Sequence, residues 1–282
     1  MCGLAGIVLA QSGDSPNEKI LVAMRDAQLH RGPDEAGLYL GNGVGLGHRR
    51  LSIIDLSNGQ QPMVDEAAGL ALVYNGELYN FQSLRAELEA QGMVFHSRCD
   101  TEVLLRAWQQ WGEACLTRLV GMFAFAVWDV RTRRVYLARD HLGIKPLYYG
   151  FTCSGDLVFA SELKGLLAHP GVERRLDPRA LEDYLALGYV PDPKSIYRGI
   201  FKLSPGHWLS WSAGERAPAP RQFWDVPFEL VADMTLNEAT AQLRSLLDRS
   251  VESQMIADVP LGAFLSGGVD SSAVVASMSR AS

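Results

Sequence analysis

MCGLAGIVL, residues 1–9, opens the chain with an almost unbroken apolar run. Over residues 2–9 it reads as a short buried strand whose glycines permit close backbone approach. Residues 17–29 take up helical spacing and run into HRGPDEAG (30–37), a turn-rich loop. Strand-like runs follow at GLYL (37–40), GVGLG (43–47) and LSIID (51–55), then at ALVYNGELYN (71–80). Helices are expected from Phe81 to Gln91 and over 101–111, the second with Asp100 as its N-cap and Glu102 and Glu113 near its ends. MFAFAVWD (122–129) and RVYLA (134–138) look like paired strands, as do LYYGF (147–151) and LVFA (157–160). Many strands interrupted by helices, with few strict β-α-β alternations, predict an α/β fold: a layered sandwich of largely antiparallel sheets.

Composition shifts after about residue 212. SAGERAPAPRQFWDVPF (212–228) is rich in Pro, Ala and charge and reads as a linker. A long helical pattern starts at Thr235, with Leu243, Leu246, Leu247 and Val251 on one face. It leads to VPLGAFLSGGVDSSAVVASMS (259–279), where a short apolar strand runs into a glycine turn and an apolar helix. That is how a doubly wound, parallel nucleotide-binding sheet opens. Three segments result: a domain at 1–212, a linker at 213–234, and the start of a second domain at 235–282. A parallel sheet needs several more strands, so the second domain is expected to be truncated.

At 282 residues the chain exceeds the usual ~100–200 residues of one domain. Hydrophobic residues make up 48% and charged residues 21%, the balance of an ordinary soluble protein with a normal core. The net charge of −6 speaks against a general nucleic-acid binder, which needs a basic surface to neutralise phosphates. No apolar run reaches the ~20 residues that cross a bilayer, so no membrane partner is expected. The apolar start lacks a basic flank and is cut short by Gln11, Ser12 and Asp14, so no signal peptide is expected. Cysteines at 2, 99, 115 and 153 show neither close pairing nor metal-like spacing and read as reduced cytoplasmic thiols. The six histidines offer no i,i+4 pair, and no histidine metal site is expected.

Cys2 differs from the other cysteines, whose ordinary reading is a small buried hydrophobe. If Met1 is removed, the thiol and a free α-amine belong to one residue. An amine titrating near pH 8 can serve that thiol as a base. Asn75-Gly76 taken alone is a strong hairpin-turn signal, Asp100 a helix cap, and Glu77 a solvated charge. HRGPD reads as a structured loop without assigned chemistry, and GNGVGLG (41–47) as glycine-rich strand and turn rather than a phosphate loop. SGGVDSS (266–272) is more specific. Ser266, Gly267 and Gly268 can expose consecutive N–H groups at a helix N-terminus, a natural phosphate site, and Ser271 and Ser272 add hydroxyls.

MCGLAGI, HRGPDEAG, HRRLSIIDL, YNGELYN, CDTEVLL, GMFAFAVWD and RDHLGIKPLYY occur in that order. Over residues 1 to about 210 they make the chain resemble the class II glutamine amidotransferases of the N-terminal-nucleophile type. With SGGVDSS, the loop of ATP-pyrophosphatase domains, the chain resembles the glutamine-dependent asparagine synthetases. The resemblance implies an αββα sandwich followed by the first unit of an ATP-pyrophosphatase sheet. It implies Cys2 as nucleophile and Asn75 and Gly76 as the oxyanion hole. Arg50 would hold the glutamine carboxylate, for which a planar fork is suited, with neighbouring Arg49 facing the other side of the strand. Glu77 and Asp100 would take the α-ammonium, and backbone groups at Leu51 and Ile53 would line the substrate. Leu265, Ser266, Gly267, Gly268 and Ser271 would hold ATP, with Asp270 acting through Mg2+ or by fixing the loop.

The expected activity is therefore a ligase: glutamine is hydrolysed through a Cys2 thioester and the ammonia amidates aspartate activated by ATP. Glutamine, ATP and aspartate are the implied partners, and a homodimer stays open. A relative amidating a different carboxylate is the first alternative. A non-hydrolytic scaffold domain is the second, against which the intact Cys2, Arg50, Asn75, Glu77 and Asp100 speak. Phosphosugar amidotransferases share the front domain, but SGGVDSS is foreign to them.

Overall fold

The computed structural model describes residues 1–11, 13–228 and 234–281. The chain divides into two compact units, one formed by Met1–Ser52 and Ser57–Asp225, the other by Ile53–Leu56 and Val226–Ser282.

The first unit is built on β1 (Gly3–Val8), every residue of which is buried. A strand covered on both faces has no reason to alternate apolar with polar, which is why MCGLAGIVL is apolar throughout. Leu4 and Val8 enter one core cluster, Ala5 and Ile7 another. Gly6 shares the side of Leu4 and Val8, and a Cβ there would lie 2.0 Å from the Phe159 ring. The glycine makes room for that ring.

Two hairpins flank β1. β2 (Glu35–Gly41) and β3 (Val44–Arg50) turn at Gly43, whose φ of +82° suits glycine. β8 (Tyr148–Phe151) and β9 (Leu157–Ala160) form the other. With β10 (Ile200–Lys202) they give a six-stranded antiparallel sheet in the order β10-β8-β9-β1-β3-β2. The second sheet runs β12-β11-β7-β6-β5-β4, also antiparallel, from β4 (Met63–Asp65), β5 (Leu70–Leu78), β6 (Gly121–Asp129), β7 (Arg134–Arg139), β11 (His207–Ser212) and β12 (Arg221–Gln222).

The main core lies between the sheets, with Leu4, Val44 and Phe159 from the first meeting Val73, Ala126 and Leu137 from the second. Outside the first sheet lie α1 (Glu18–Asp26), capped by the Asn17 side chain, and α4 (Leu163–Leu167). Outside the second lie α2 (Phe81–Ala90) and α3 (Asp100–Trp111). The layering is αββα, the N-terminal-nucleophile sandwich. α5 (Pro178–Leu187) follows in the chain. In the second unit, α6 (Leu236–Ser253) starts at a Thr235–Glu238 capping box and α7 (Val269–Ala281) follows the glycine turn. Among the described residues no helix is long and apolar enough to cross a membrane.

Four local expectations change. Residues 51–55 form no strand. The Leu51 N–H points at the Cys2 sulfur and the Ser52 N–H at the Asp34 carboxylate, so neither is offered to a sheet neighbour. Asp100 is the first residue of α3 rather than its cap. Cys99 takes the cap position without a side-chain hydrogen bond, because the Asp100 carboxylate is engaged by β5. The stretch read as a linker contains β12, and the Phe223 and Trp224 amides reach the Gly206 carbonyl at 2.8 and 3.3 Å. Phe223 also stacks on Phe123, so this segment belongs to the sandwich, while residues 229–233 of the expected linker lie outside the described residues. Residues 259–265 form no strand, since among the described residues of that unit no other strand pairs with them. Phe264 is fully exposed there.

Candidate active site

The candidate site residues of the first unit come from the start of β1, the end of β3, the second half of β5 and the start of α3. Cys2 precedes β1, which pairs with β3 so that Gly3 lies opposite Arg49. The Leu51 N–H, one residue beyond the end of β3, reaches the Cys2 Sγ at 3.5 Å. The Cys2 carbonyl accepts from Arg31 Nε at 2.8 Å. Burial pushes the Cys2 thiol up; the Leu51 amide, the N-terminal ammonium and Arg50 pull it back down, and Asp100 adds to the rise. The N-terminal amine, here on Met1, is pulled below its usual value by burial and by Lys145 and Arg31, against Cys2 and Asp34.

Arg49 and Arg50 do face opposite ways. Arg49 pairs with Asp26 on α1, while Arg50 is buried and its Nη1 donates to both oxygens of Glu35, its cross-strand neighbour, at 3.1 Å. Such pinning fixes a guanidinium that would otherwise sample many rotamers.

Asn75 and Gly76 lie in the middle of β5, opposite Ala124 and Phe123 on β6, so the turn reading is excluded. A Cβ at position 76 would stand 2.3 Å from the Met122 carbonyl, which leaves room for glycine alone. Asn75 is 1% exposed, and both polar atoms of its side chain lack a hydrogen-bond partner among the described residues. The Asp100 Oδ2 accepts from the Tyr74 phenol at 2.9 Å and the Leu78 amide at 3.0 Å. Burial raises Asp100, and burial together with Asp100 raises Glu77 to about 7, partly offset by Lys145. Two neighbouring carboxylates that resist ionising together would both gain from a cation between them.

Several residues near the site carried no role in the sequence reading. Arg31, in the HRGPD loop, holds the Cys2 carbonyl and the Glu162 carboxylate. Gly32 lets that loop cross the β3 backbone, where a Cβ would meet Arg49 at 2.3 Å. His48 bridges the sheets through a 2.9 Å bond to the Tyr74 carbonyl, and burial lowers it to about 4, so its ring is neutral. Tyr74 and Lys145 complete the group. The partners of Arg31, His48 and Tyr74 lie far along the chain and leave no local pattern, although each of the four residues stands inside a quoted string.

The remaining candidates are elsewhere. Ile53 groups with the second unit. Leu265 to Ser271 are exposed, apart from partly buried Ser271, and lead into α7. Gly267 has a φ of +82°, the Ser266 and Ser271 hydroxyls meet at 2.9 Å, and the Ser272 hydroxyl donates to the Gly268 carbonyl at 2.7 Å. All four cysteines are free. No group of three potential metal ligands occurs among the described residues.

The chain belongs to the glutamine amidotransferase family: the profile described as glutamine amidotransferase domain matches residues 1–224. A second profile, asparagine synthase, matches residues 242–282. Among curated relatives, "Asparagine synthetase [glutamine-hydrolyzing] 3" of Bacillus subtilis is 39% identical over 279 residues, 98% of this chain and 45% of the relative. "Amidase chry2" of Gibberella zeae is 37% identical over 261 residues, covering 90% of this chain and 38% of the relative. The chain spans less than half the length of these relatives. The solved structure of a glutamine phosphoribosylpyrophosphate amidotransferase from B. subtilis shares the fold, with a TM-score of 0.58 at 18% identity, over 99% of this chain and 64% of that one.

Proposed function

We propose that the chain releases ammonia from glutamine at Cys2 and that the whole protein uses it to convert aspartate to asparagine at the expense of ATP. Once Met1 is removed, the Cys2 amine takes the thiol proton and the sulfur attacks the side-chain amide carbon of glutamine. The oxyanion develops against the Asn75 amide and the Gly76 N–H. The amide C–N bond then breaks, the amine returns its proton to the leaving ammonia, and water splits the thioester to glutamate. Asp100 and Glu77 hold the α-ammonium, Arg50 shares its guanidinium between Glu35 and the substrate carboxylate, and the Leu51 backbone lies along the chain of the substrate.

The observation that carries this reading is the Asn75 amide. A buried polar group left unpaired costs about 1–3 kcal/mol, and a substrate oxygen arriving beside Cys2 would relieve it.

For the second step, Ser266, Gly267, Gly268 and Ser271 are the residues proposed to bind the nucleotide, with Leu265 beside it. The positive φ of Gly267 and the start of α7 just after the turn suit a phosphate. Bound there, ATP supplies the activation of a carboxylate. Asp270 is the nearest carboxylate in the string, so Mg2+ would be held chiefly by the phosphates. The four free thiols suit a cytoplasmic enzyme. A second reading keeps the glutaminase and changes the acceptor carboxylate; the similarity to a relative named an amidase favours it.

The test incubates the Met1-free chain with glutamine, aspartate and Mg·ATP and measures glutamate, asparagine and pyrophosphate separately. Glutamate is expected without asparagine or pyrophosphate, because residues 259–265 have no strand partner among the described residues. Absence of glutamate would overturn the glutaminase reading. Stoichiometric asparagine and pyrophosphate would show a complete synthetase site within these residues.

A further inference from the structure

β5 has one edge that β6 does not cover. In an antiparallel pair, residues alternate between those that bond to the partner strand and those that face away from it. The Tyr79 amide reaches the Val120 carbonyl at 2.8 Å, and the Val130 amide reaches the Gly69 carbonyl at 2.9 Å. The odd-numbered residues of β5 therefore bond to β6, while Leu70, Leu72, Tyr74, Gly76 and Leu78 turn their peptide groups to the opposite edge. β4 covers that edge at Leu70 and Leu72 only.

Beyond β4, side chains take over. The Tyr74 N–H donates to Gln61 Oε1 at 2.6 Å, and the Tyr74 carbonyl accepts from His48 Nε2 at 2.9 Å. The Leu78 N–H goes to the Asp100 carboxylate. Among the described residues, Gly76 alone keeps an unclaimed N–H on this edge. The register explains the use of Gln61. Met63 lies opposite Leu72, so a longer β4 would set Gln61 against Tyr74 and then Gly59 against Gly76, closing it. Instead β4 begins at Met63, and Gln61 serves Tyr74 with its side chain rather than its backbone.

Both residues are themselves held. Gln61 is buried, and its Nε2 donates at 3.4 Å to the hydroxyl of Thr101, the neighbour of Asp100 on α3. Gly37 on β2 makes way for it, since a Cβ there would lie 1.9 Å from the Gln61 carbonyl. His48 is buried on β3 between Gly37 and Leu4, its cross-strand neighbours. Its ring is neutral, and because it faces a carbonyl, Nε2 carries the proton. The His48–Tyr74 bond thus ties the strand pair that carries Cys2 and Leu51 at its end to the strand that carries Asn75 and Gly76.

We propose that Gln61 and His48 are positioning residues of the glutaminase: they replace a strand neighbour at Tyr74, and so fix Asn75 and Gly76 against Cys2 while leaving the Gly76 N–H open to the substrate oxygen. This rests on the reading of Cys2 as nucleophile and of Asn75 with Gly76 as the oxyanion hole. Neither residue gains or loses a proton in the reaction.

The experiment compares His48→Leu, Gln61→Met and His48→Gln in Met1-free protein, each alone and combined with Asn75→Ala. Glutamine kinetics, alkylation of Cys2 by iodoacetamide and thermal melts are measured on each. His48→Leu and Gln61→Met are expected to lower kcat about tenfold or more with KM little changed, because a displaced donor acts only in the transition state. Alkylation, which needs no oxyanion hole, should keep its wild-type rate. His48→Gln keeps an N–H donor of similar reach and should recover most of the loss. Combined with Asn75→Ala, the loss from His48→Leu should shrink, since both act on one hole. Equal losses in both backgrounds, or alkylation falling in step with kcat, would overturn the role of these two residues alone. Hydrogen exchange of the wild-type chain, read by NMR, tests the open edge without any variant. The Tyr74 amide should exchange slowly and the Gly76 amide fast; a Gly76 amide as protected as Tyr74 would also overturn the proposal. A wild-type chain that releases no glutamate would overturn both this role and the glutaminase reading.

Discussion

The phenol of Tyr74 donates to the Asp100 carboxylate at 2.9 Å, and the Leu78 amide donates to the same oxygen at 3.0 Å. Asp100 therefore grips β5 on both sides of Asn75, Gly76 and Glu77. The proposed ammonium-binding group and oxyanion hole are mechanically one piece. Tyr74→Phe should remove about 1–2 kcal/mol of stability, read by chemical unfolding, since a hydrogen bond to a charged acceptor is lost inside the core. It should also raise KM for glutamine. A variant with wild-type KM would separate the grip from substrate binding.

The same arrangement divides the pocket by role. Arg50→Ala and Asp100→Asn should mainly raise KM, because each removes ground-state binding. Asn75→Ala should mainly lower kcat, by about a hundredfold or more, because an oxyanion donor acts in the transition state. Steady-state kinetics decide this; equal effects on both parameters in all three variants would undo the division.

Cys2→Ala should abolish glutamate release, whereas alanine at Cys99, Cys115 or Cys153 should leave it intact. Cys115 is fully buried and its thiol is pushed up to about 12, which makes it inert as a nucleophile. The buried pair Cys99 and Cys115 should cost about 1 kcal/mol each on truncation, visible in thermal melts. Retaining Met1 behind an uncleavable extension should silence the enzyme, and intact mass of active protein should lack Met1.

Glu77 supplies a pH test. Raised to about 7 by burial and by Asp100, it loses its charge as pH falls through neutrality. The value of kcat/KM for glutamine should fall on that side, and Glu77→Gln should be uniformly weak and flat there. Stability runs the other way. The folded chain keeps a proton on Glu77 that the unfolded chain releases near 4.5, so this contribution is full below 4.5 and is lost as pH rises through about 7. Relative to wild type, Glu77→Gln should therefore gain stability between pH 5 and pH 8. Denaturant midpoints across that window measure the effect.

Much of the sandwich was legible because its signals are local. The helices at 18–26, 81–90 and 100–111 follow the apolar spacing, and the hairpins of β6 with β7 and of β8 with β9 follow apolar runs separated by turn residues. The candidate residues Cys2, Arg50, Asn75, Glu77 and Asp100 were legible through whole strings resembling a family. Taken singly, each had an ordinary explanation as thiol, surface charge, turn or cap. Arg31, His48 and Tyr74 gained no role because each bonds to a residue far along the chain, and spacing carries no record of that.

What the amino-acid order determined by itself was the repertoire: which segments have the apolar pattern of a strand or a helix, and that one chain carries a thiol at its second position and a glycine-serine loop before a helix. Only the tertiary structure decided how these were used. Asn75-Gly76 is a turn signal that became mid-strand, because β6 pairs with it along its length. LSIID is a strand signal that joins neither sheet, because the amides of Leu51 and Ser52 were claimed by Cys2 and Asp34. The physical reason is common to both. A turn or a helix closes its hydrogen bonds within a few residues, but a strand exists only where another segment offers donors and acceptors. A buried charge likewise takes its chemistry from neighbours that folding alone brings together.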